Sequence, residues 1–445
     1  MERARLDRRS ALVAGLMTAA LGAAALGVAL RPGAAEGEEP RTDPLQDALD
    51  ATGDGRTLVI DRVWNRSRPL LVHRRLTLRF ASGGALRMTA DDHGIVITAS
   101  GVRVVAPVIE GIGASKRGSG HGIVVRGTRD APLDDVCISG GTLKRLPSDG
   151  VHVEYCDRFV LERTVVSSVG YAGVLLLGVV DSVVQDTVVS DVRQPAGLMN
   201  SYGITVTRDA SATVAVARRS SRVRILRNRV SGVPLWEGID THAGDAIEIR
   251  DNTVTGCRVG IAAVPSKAVG DRSATDVAPT KLSITGNRIT RSASLAAGSG
   301  ILVSGSGMTV GSSLPRATGS VSGNTVTGAG GTGSAGVLVK LTRGFVVADN
   351  TVASSVDDAI RVEHSNSAVT VRDNRITKVT GDSVAIDVRS GGNDGTVVRN
   401  RIDAPARSVR VGLRFGTRDN RFLVRGNDFS AAVTREFAHG ASIRR

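Results

Sequence analysis

In the second half of the chain an Asn recurs with apolar residues at fixed offsets on either side. It stands at 228, 252, 287, 324, 350, 374, 400 and 427, at intervals of 24, 35, 37, 26, 24, 26 and 27. Three residues before each Asn lies Ile225, Ile249, Ile284, Val321, Val347, Val371, Val397 or Val424. Two residues after it lies Val230, Val254, Ile289, Val326, Val352, Ile376, Ile402 or Phe429. A second pattern follows within thirteen residues: Gly or Ala, then apolar, any residue and apolar, with Thr241 in the last place of one copy. It begins at 94, 122, 150, 173, 203, 238, 260, 300, 336, 359, 385 and 412. Short segments of two-residue alternation, turned by bends at this period, predict three strands per coil, stacked in parallel about 4.8 Å apart. The expectation is an all-β solenoid, a parallel β-helix of about twelve coils. Asn suits the repeated bend, since it tolerates left-handed backbone and its amide bonds to the same side chain one coil on.

Longer intervals place loops at 189–200, 263–280 and 305–320, rich in Gly, Ser, Ala and Pro, where they can wall a groove. A solenoid also needs its end strands covered. Asp43 to Thr52 suits a short capping helix with Asp43 as N-cap and Pro44 in the first turn. The expected organisation is cap and first coils over 36–90, β-helix over 91–430, and a carboxy-terminal cap or tail over 431–445. Residues 1–35 read as a twin-arginine-like export signal: Arg8-Arg9, an apolar run from Ala11 to Leu30, then Gly33, Ala34 and Ala35. The expected product is a secreted or cell-surface monomer, not stably inserted in a membrane once the signal is removed, with retention of the Ala/Gly run as an amino-terminal membrane anchor as the alternative.

Aromatic residues make up 3% of the chain while Gly numbers 53, which excludes a large helical core. The formal charge is +14, and removal of five Arg and two acids with residues 1–35 leaves +11. A basic surface favours anionic partners. Nucleic acid is disfavoured, because its sites interleave aromatics with basic residues. Cys137, Cys156 and Cys257 have no metal-site spacing and read as small core residues, although the first two also lie within reach of a disulfide.

Aligned on the Gly, three positions per coil share the outer face: the residue before it, the second after it and the fourth after it. They collect His93, His121, Asp149, Tyr202 and Glu237, then His152 and Asp240, then Arg126, Glu154 and His242. The same columns hold Val259, Ala262, Val264 and Leu302 further on, so the ionisable groups are local. The sharpest element is WEGIDTHAGD at 236–245, where Asp240 and His242 stand two apart beside Tyr202 of the preceding coil. The predicted catalytic set is Asp240, His242, Tyr202 and Glu237; His152, Asp149, Glu154, His121 and Arg126 are the predicted substrate contacts.

The Asn ladder and the G-I-x-V strands resemble the pectate-lyase-like superfamily of right-handed parallel β-helices. That superfamily holds lyases, hydrolases, epimerases, tailspikes and non-catalytic proteins, so the resemblance bears on fold more than on function. Asp240 and His242 further resemble the Asp-x-His strand of alginate carbon-5 epimerases, with Glu237 where that strand has Tyr and Thr241 where it has Pro. The resemblance implies a lyase or epimerase on an acidic polysaccharide. Removing the proton at carbon 5 of a uronate requires its carboxylate to be neutralised and a base beside the ring. His242 suits the base, with Asp240 expected to orient it and raise its pKa, and Arg126, Arg208 or Arg250 to clamp the charge. A β-helix glycoside hydrolase using Glu237 with Asp240 or Asp149, and a non-catalytic glycan-binding rod, are the alternatives. Asp357-Asp358 resembles the paired acids of β-helix hydrolases and otherwise reads as a solvated turn. No ligand spacing demands a metal, and calcium near the acids is allowed.

Overall fold

The computed structural model describes residues 43–113, 118–194, 200–292, 295–307 and 309–445. The export signal predicted over 1–35 therefore lies outside the described residues. Among the described residues no helix is long and apolar enough to cross a membrane.

Each coil contributes strands to three faces. The first face is a single sheet of fifteen strands, from Thr57–Ile60 to Ser442–Arg444. The second begins at Val63–Arg66 and the third at Leu70–Val72. These two join into one sheet because Arg229–His242 and Thr253–Val264 each continue around the corner between them. Within the three faces neighbouring strands pair in parallel, as a chain winding in one sense must. The count exceeds the expected twelve because the terminal coils lack the small residue. In register with Gly94 of the next coil stands Pro69, and in register with Gly412 of the preceding coil stands Arg435.

The apolar flanks of the Asn repeat all point inward: Ile225, Ile249, Ile284, Val230, Val254 and Ile289 are buried in one continuous core. Each such side chain removed from water contributes about 1.5–3 kcal/mol. The eight Asn residues form an unbroken ladder inside the rod. Every side-chain NH₂ donates to the Oδ1 of the next, from Asn228 to Asn252 at 3.0 Å through to Asn400 and Asn427 at 2.9 Å. The left-handed turn sits one residue earlier than expected. Arg227, Asp251, Gly286, Gly323, Asp349, Asp373, Arg399 and Gly426 have φ between 52° and 66°, so Asn supplies the hydrogen bonds and its predecessor the bend. A second ladder, Asn366 to Asn393 to Asn420, lies at another corner and was not read from the sequence, although its two intervals of 27 were there to be found.

The Gly before each third-face strand is required by stacking. A Cβ on Gly238 would stand 2.6 Å from Val254 Cγ1 and 2.8 Å from the carbonyl of Gly260 in the next coil. The helix Pro44–Ala51 covers the first coil as predicted, with Asp43 accepting from the Gln46 amide and Leu45 and Leu49 buried. Gln46 also closes the edge of the first third-face strand: its side chain accepts from Leu71 N at 2.9 Å and donates to Leu71 O at 3.1 Å. Residues 431–445 continue in strand at Ala432–Phe437 and Ser442–Arg444. The three thiols are free, Cys156 and Cys257 buried and Cys137 half-buried, so no disulfide joins the first two.

Candidate active site

The register of the third face decides which side chains meet. Val151 pairs with Val174, Ala172 with Tyr202, Tyr202 with Glu237 and Thr205 with Asp240. The columns inferred from sequence are therefore real, and they hold two clusters one apolar coil apart.

The first cluster comprises His93, His121, Asp149, His152, Glu154 and Arg126. The three imidazoles stack up the face, with ring centroids 4.9 Å and 4.7 Å apart. Asp149, 1% exposed, accepts from the Ala172 amide at 3.0 Å and faces His152 Nδ1 at 2.8 Å, while His152 Nε2 meets Glu154 Oε1 at 3.1 Å. Burial opposes charge on His152, but these two carboxylates overcome it and hold its pKa at about 9. His121 is the opposite case. Burial drives it down to about 3, and its Nδ1 accepts from the Asp149 amide N–H at 3.1 Å, which fixes the neutral ring with its proton on Nε2. Glu154 is held below the usual carboxylate range, first by His152. Arg126 is exposed, in register with Glu154.

The second cluster is Tyr202, Glu237, Asp240 and His242. All four lie on the outer face, yet they are 2%, 4%, 0% and 8% exposed. The sequence placed them open to water; the structure closes them in. Trp236 and Tyr171 pack around Tyr202, and the Arg258 guanidinium stands 5.4 Å over the Trp236 ring. On the far side Arg208 donates to Ser266 at the root of the hairpin Ser266–Ala268 and Asp271–Val277. These covers arise from irregular segments, which the columns do not reveal.

Burial sets the chemistry here. It lifts Asp240 to about 8, against the opposing hydrogen bond from Thr205 at 2.8 Å, and it lifts Glu237 well above the carboxylate range, with Asp240 adding to the shift. It lowers His242 and raises Tyr202. At neutral pH the cluster is thus two carboxylic acids, a neutral imidazole and a phenol. The expectation that Asp240 orients His242 and raises its pKa does not hold. His242 Nε2 is 3.2 Å from Asp240 Oδ2, but neither ring nitrogen has a hydrogen-bond partner, and the pKa moves down. Glu237 Oε2 and Asp240 Oδ1 are likewise buried without a partner. The Tyr202 ring stands edge-on, 6.1 Å from the imidazole.

Of the three clamp candidates only Arg126 belongs to this face. Arg208 is 3% exposed and tied to the loop carbonyl of Ala212, and Arg250 lies on the first face, paired with Glu248 and Asp251. Asp358 is no solvated turn. It is buried against Arg361, itself 2% exposed, within a network that includes Asp387, Arg389 and Arg414 further along the third face. Among the described residues, two groups bring three potential cation ligands within 4.8 Å of one another: His121, Asp149 and His152, and Glu237, Asp240 and His242.

Residues 93–275 and 268–429 match the family described as the right handed beta helix region. The chain belongs to that family. No curated protein matches this right-handed β-helix by sequence. Among solved structures it is similar to the tailspike protein of E. coli bacteriophage HK620 in complex with pentasaccharide, with 12% identity and a TM-score of 0.53 over 82% of this chain and 72% of that one. It is also similar to the Dettilon tailspike, with 11% identity and a TM-score of 0.50 over 82% of this chain, and to the catalytic unit of the GH87 alpha-1,3-glucanase of Streptomyces thermodiastaticus, with 15% identity and a TM-score of 0.51 over 86%. The β-helix spans 64% of each of these two proteins. At such identities the likeness establishes the fold and leaves the chemistry to the site.

Proposed function

We propose that this protein acts on an acidic polysaccharide lying along its third face, as a lyase or carbon-5 epimerase centred on Tyr202, Glu237, Asp240 and His242. The observation that carries this reading is a buried cluster with four polar atoms lacking partners, Glu237 Oε2, Asp240 Oδ1 and both ring nitrogens of His242, on a face whose strands do not need them to stack. Unpaired buried polar groups are costly, and a cluster of them with displaced pKa values marks a working site. Glu237 and Asp240, kept protonated by burial, are donors for a uronate carboxylate and spread the charge that develops when the carbon-5 proton leaves. His242, kept neutral, accepts that proton, and the Tyr202 phenol supplies one. Return of a proton to carbon 5 gives epimerisation; departure of the oxygen at carbon 4 gives elimination. The polysaccharide link is also supported by the glycan named in the tailspike complex and the glucan named for the glucanase.

The same burial favours a second reading, a rod that binds the glycan without altering it, because Asp240 is 0% exposed and a polymer reaches it only when the Trp236 side of the cover moves. Hydrolysis is less well supported: Asp149 and Glu237 lie three coils apart, about 14 Å, beyond the roughly 6.5–9.5 Å that inversion uses. In the pair Glu237 and Asp240 burial raises both pKa values, whereas hydrolysis needs one carboxylate ionised. A panel of polyuronates separates the readings. Elimination gives an unsaturated product absorbing in the ultraviolet, epimerisation takes up solvent deuterium, and H242A or Y202F lowers either rate by about 10²- to 10⁴-fold. Bound but unchanged polymer leaves the second reading, and neither binding nor turnover ends both.

A further inference from the structure

We infer that Glu237, Asp240 and His242 form a site for one divalent transition-metal ion. The inference rests on the reading of this cluster as the reactive centre and says what else that pocket takes. Three observations lead to it. One carboxylate oxygen from each acid and a ring nitrogen of His242 all lie within 4.8 Å of one another, so shifts of a few tenths of an ångström bring them to the roughly 2.0–2.2 Å ligand distances of such an ion. All three residues are more than nine-tenths buried, and each carries a polar atom without a hydrogen-bond partner. Two carboxylates and one imidazole also form a mixed oxygen and nitrogen set, which suits zinc or manganese, whereas calcium seeks six to eight oxygens.

The rival group fails on its hydrogen bonds. His121 Nδ1 already accepts from the Asp149 amide, so a metal on its Nε2 would need the proton moved to a nitrogen that faces another N–H. Both nitrogens of His152 are taken by Asp149 and Glu154. In the second cluster Thr205 donates to Asp240 Oδ2 and leaves Oδ1 free, so the groups displaced are the protons of the two acids, which pass to solvent as the ion binds. Three protein ligands leave a further position open to water or a substrate oxygen. The ion and the acid-base arrangement exclude each other, since a bound metal occupies the His242 lone pair and replaces both carboxyl protons.

The test uses the full chain without an affinity tag, stripped with chelator and then dialysed against zinc chloride alone. Retention of one zinc per chain and a rise in Tm of a few degrees are expected, with calcium chloride giving neither. H242A should weaken retention by about tenfold or more, and H152A should leave it unchanged. D240N, which keeps the shape of the side chain, guards against loss through misfolding and should behave as H242A does at wild-type circular dichroism. No zinc retained, or retention that H152A abolishes and H242A does not, overturns the inference. Zinc held by a protein that, once stripped of it, is inert on every polyuronate overturns the proposed function alone; turnover by a protein that never holds zinc overturns this site alone.

Discussion

A carboxyl group with no exposed surface and a pKa of about 8 carries its proton at neutral pH, and the protein's stability depends on that proton. For Asp240 the folded pKa is raised from 3.8, so the folded chain binds more protons than the unfolded one between about pH 4 and pH 8. Stability from this residue is therefore greatest in acid and falls as pH rises through that window. Asp240→Asn removes the titration, and we expect its unfolding free energy to decline less steeply from pH 5 to pH 8, the difference from wild type reaching the order of a few kcal/mol at pH 8. Denaturant melts at four pH values measure it, and parallel curves would refute the assignment. His152 behaves in the same direction for a different reason. Its folded pKa is raised to about 9 by two carboxylates, so its contribution is complete below pH 6.5 and fades as pH rises through 9. Its ring signal in a proton spectrum should titrate near 9, while that of His121 stays neutral down to about 3. Sequence shows the chemistry of these residues but not their depth. Asp240 and His242 were legible as outward-facing, because a strand alternates, whereas the Trp236 and hairpin cover belongs to segments with no period to follow.

At the scale of a coil, the Asn ladder separates two jobs that the repeat merges into one motif. Asn350 accepts from the backbone and side-chain N–H groups of Asn324, both at 3.0 Å, and donates to Val321 O and Asn374 Oδ1. Asn350→Ala strands those partners in the interior, and we expect a loss of about 3 kcal/mol by denaturant unfolding. Asp349, one residue earlier, has φ of 57° and is exposed, so Asp349→Gly should leave stability unchanged or add up to about 1 kcal/mol. A loss at Asp349 equal to that at Asn350 would show that the bend, and not the amide ladder, fastens the coils. The apolar flanks and the Asn period were readable because stacking repeats the same demand at every turn. The end coils were missed because Pro69 and Arg435 stand where the other coils have Gly or Ala, so the pattern is broken there although the strands still pair. The Asp358 network was misread for a similar reason: a charged pair looks like a turn until its partners, Arg361 and the Arg389 and Arg414 of later coils, are known to be neighbours.

For the whole molecule the organising quantity is contact between adjacent coils, since each strand of a face pairs only with the one before and the one after. The helix Pro44–Ala51 stands in for a missing neighbour, through Leu45 and Leu49 inside and Gln46 on the edge of Leu71. Leu49→Asp puts a charge where exposure is 0%, and we expect it to release the helix and leave the first strands free to pair between chains. Sedimentation should then show association at concentrations where the parent chain gives one species, and an unchanged profile would mean the helix is not the cap. Because each turn is fastened only to the turns beside it, the rod has no fixed length built into its chemistry. A whole turn of some two dozen residues can be inserted or removed at a bend and every bond remade one step along, so the span available to a polymer can lengthen by about 4.8 Å at a time while the reactive residues keep their own immediate surroundings.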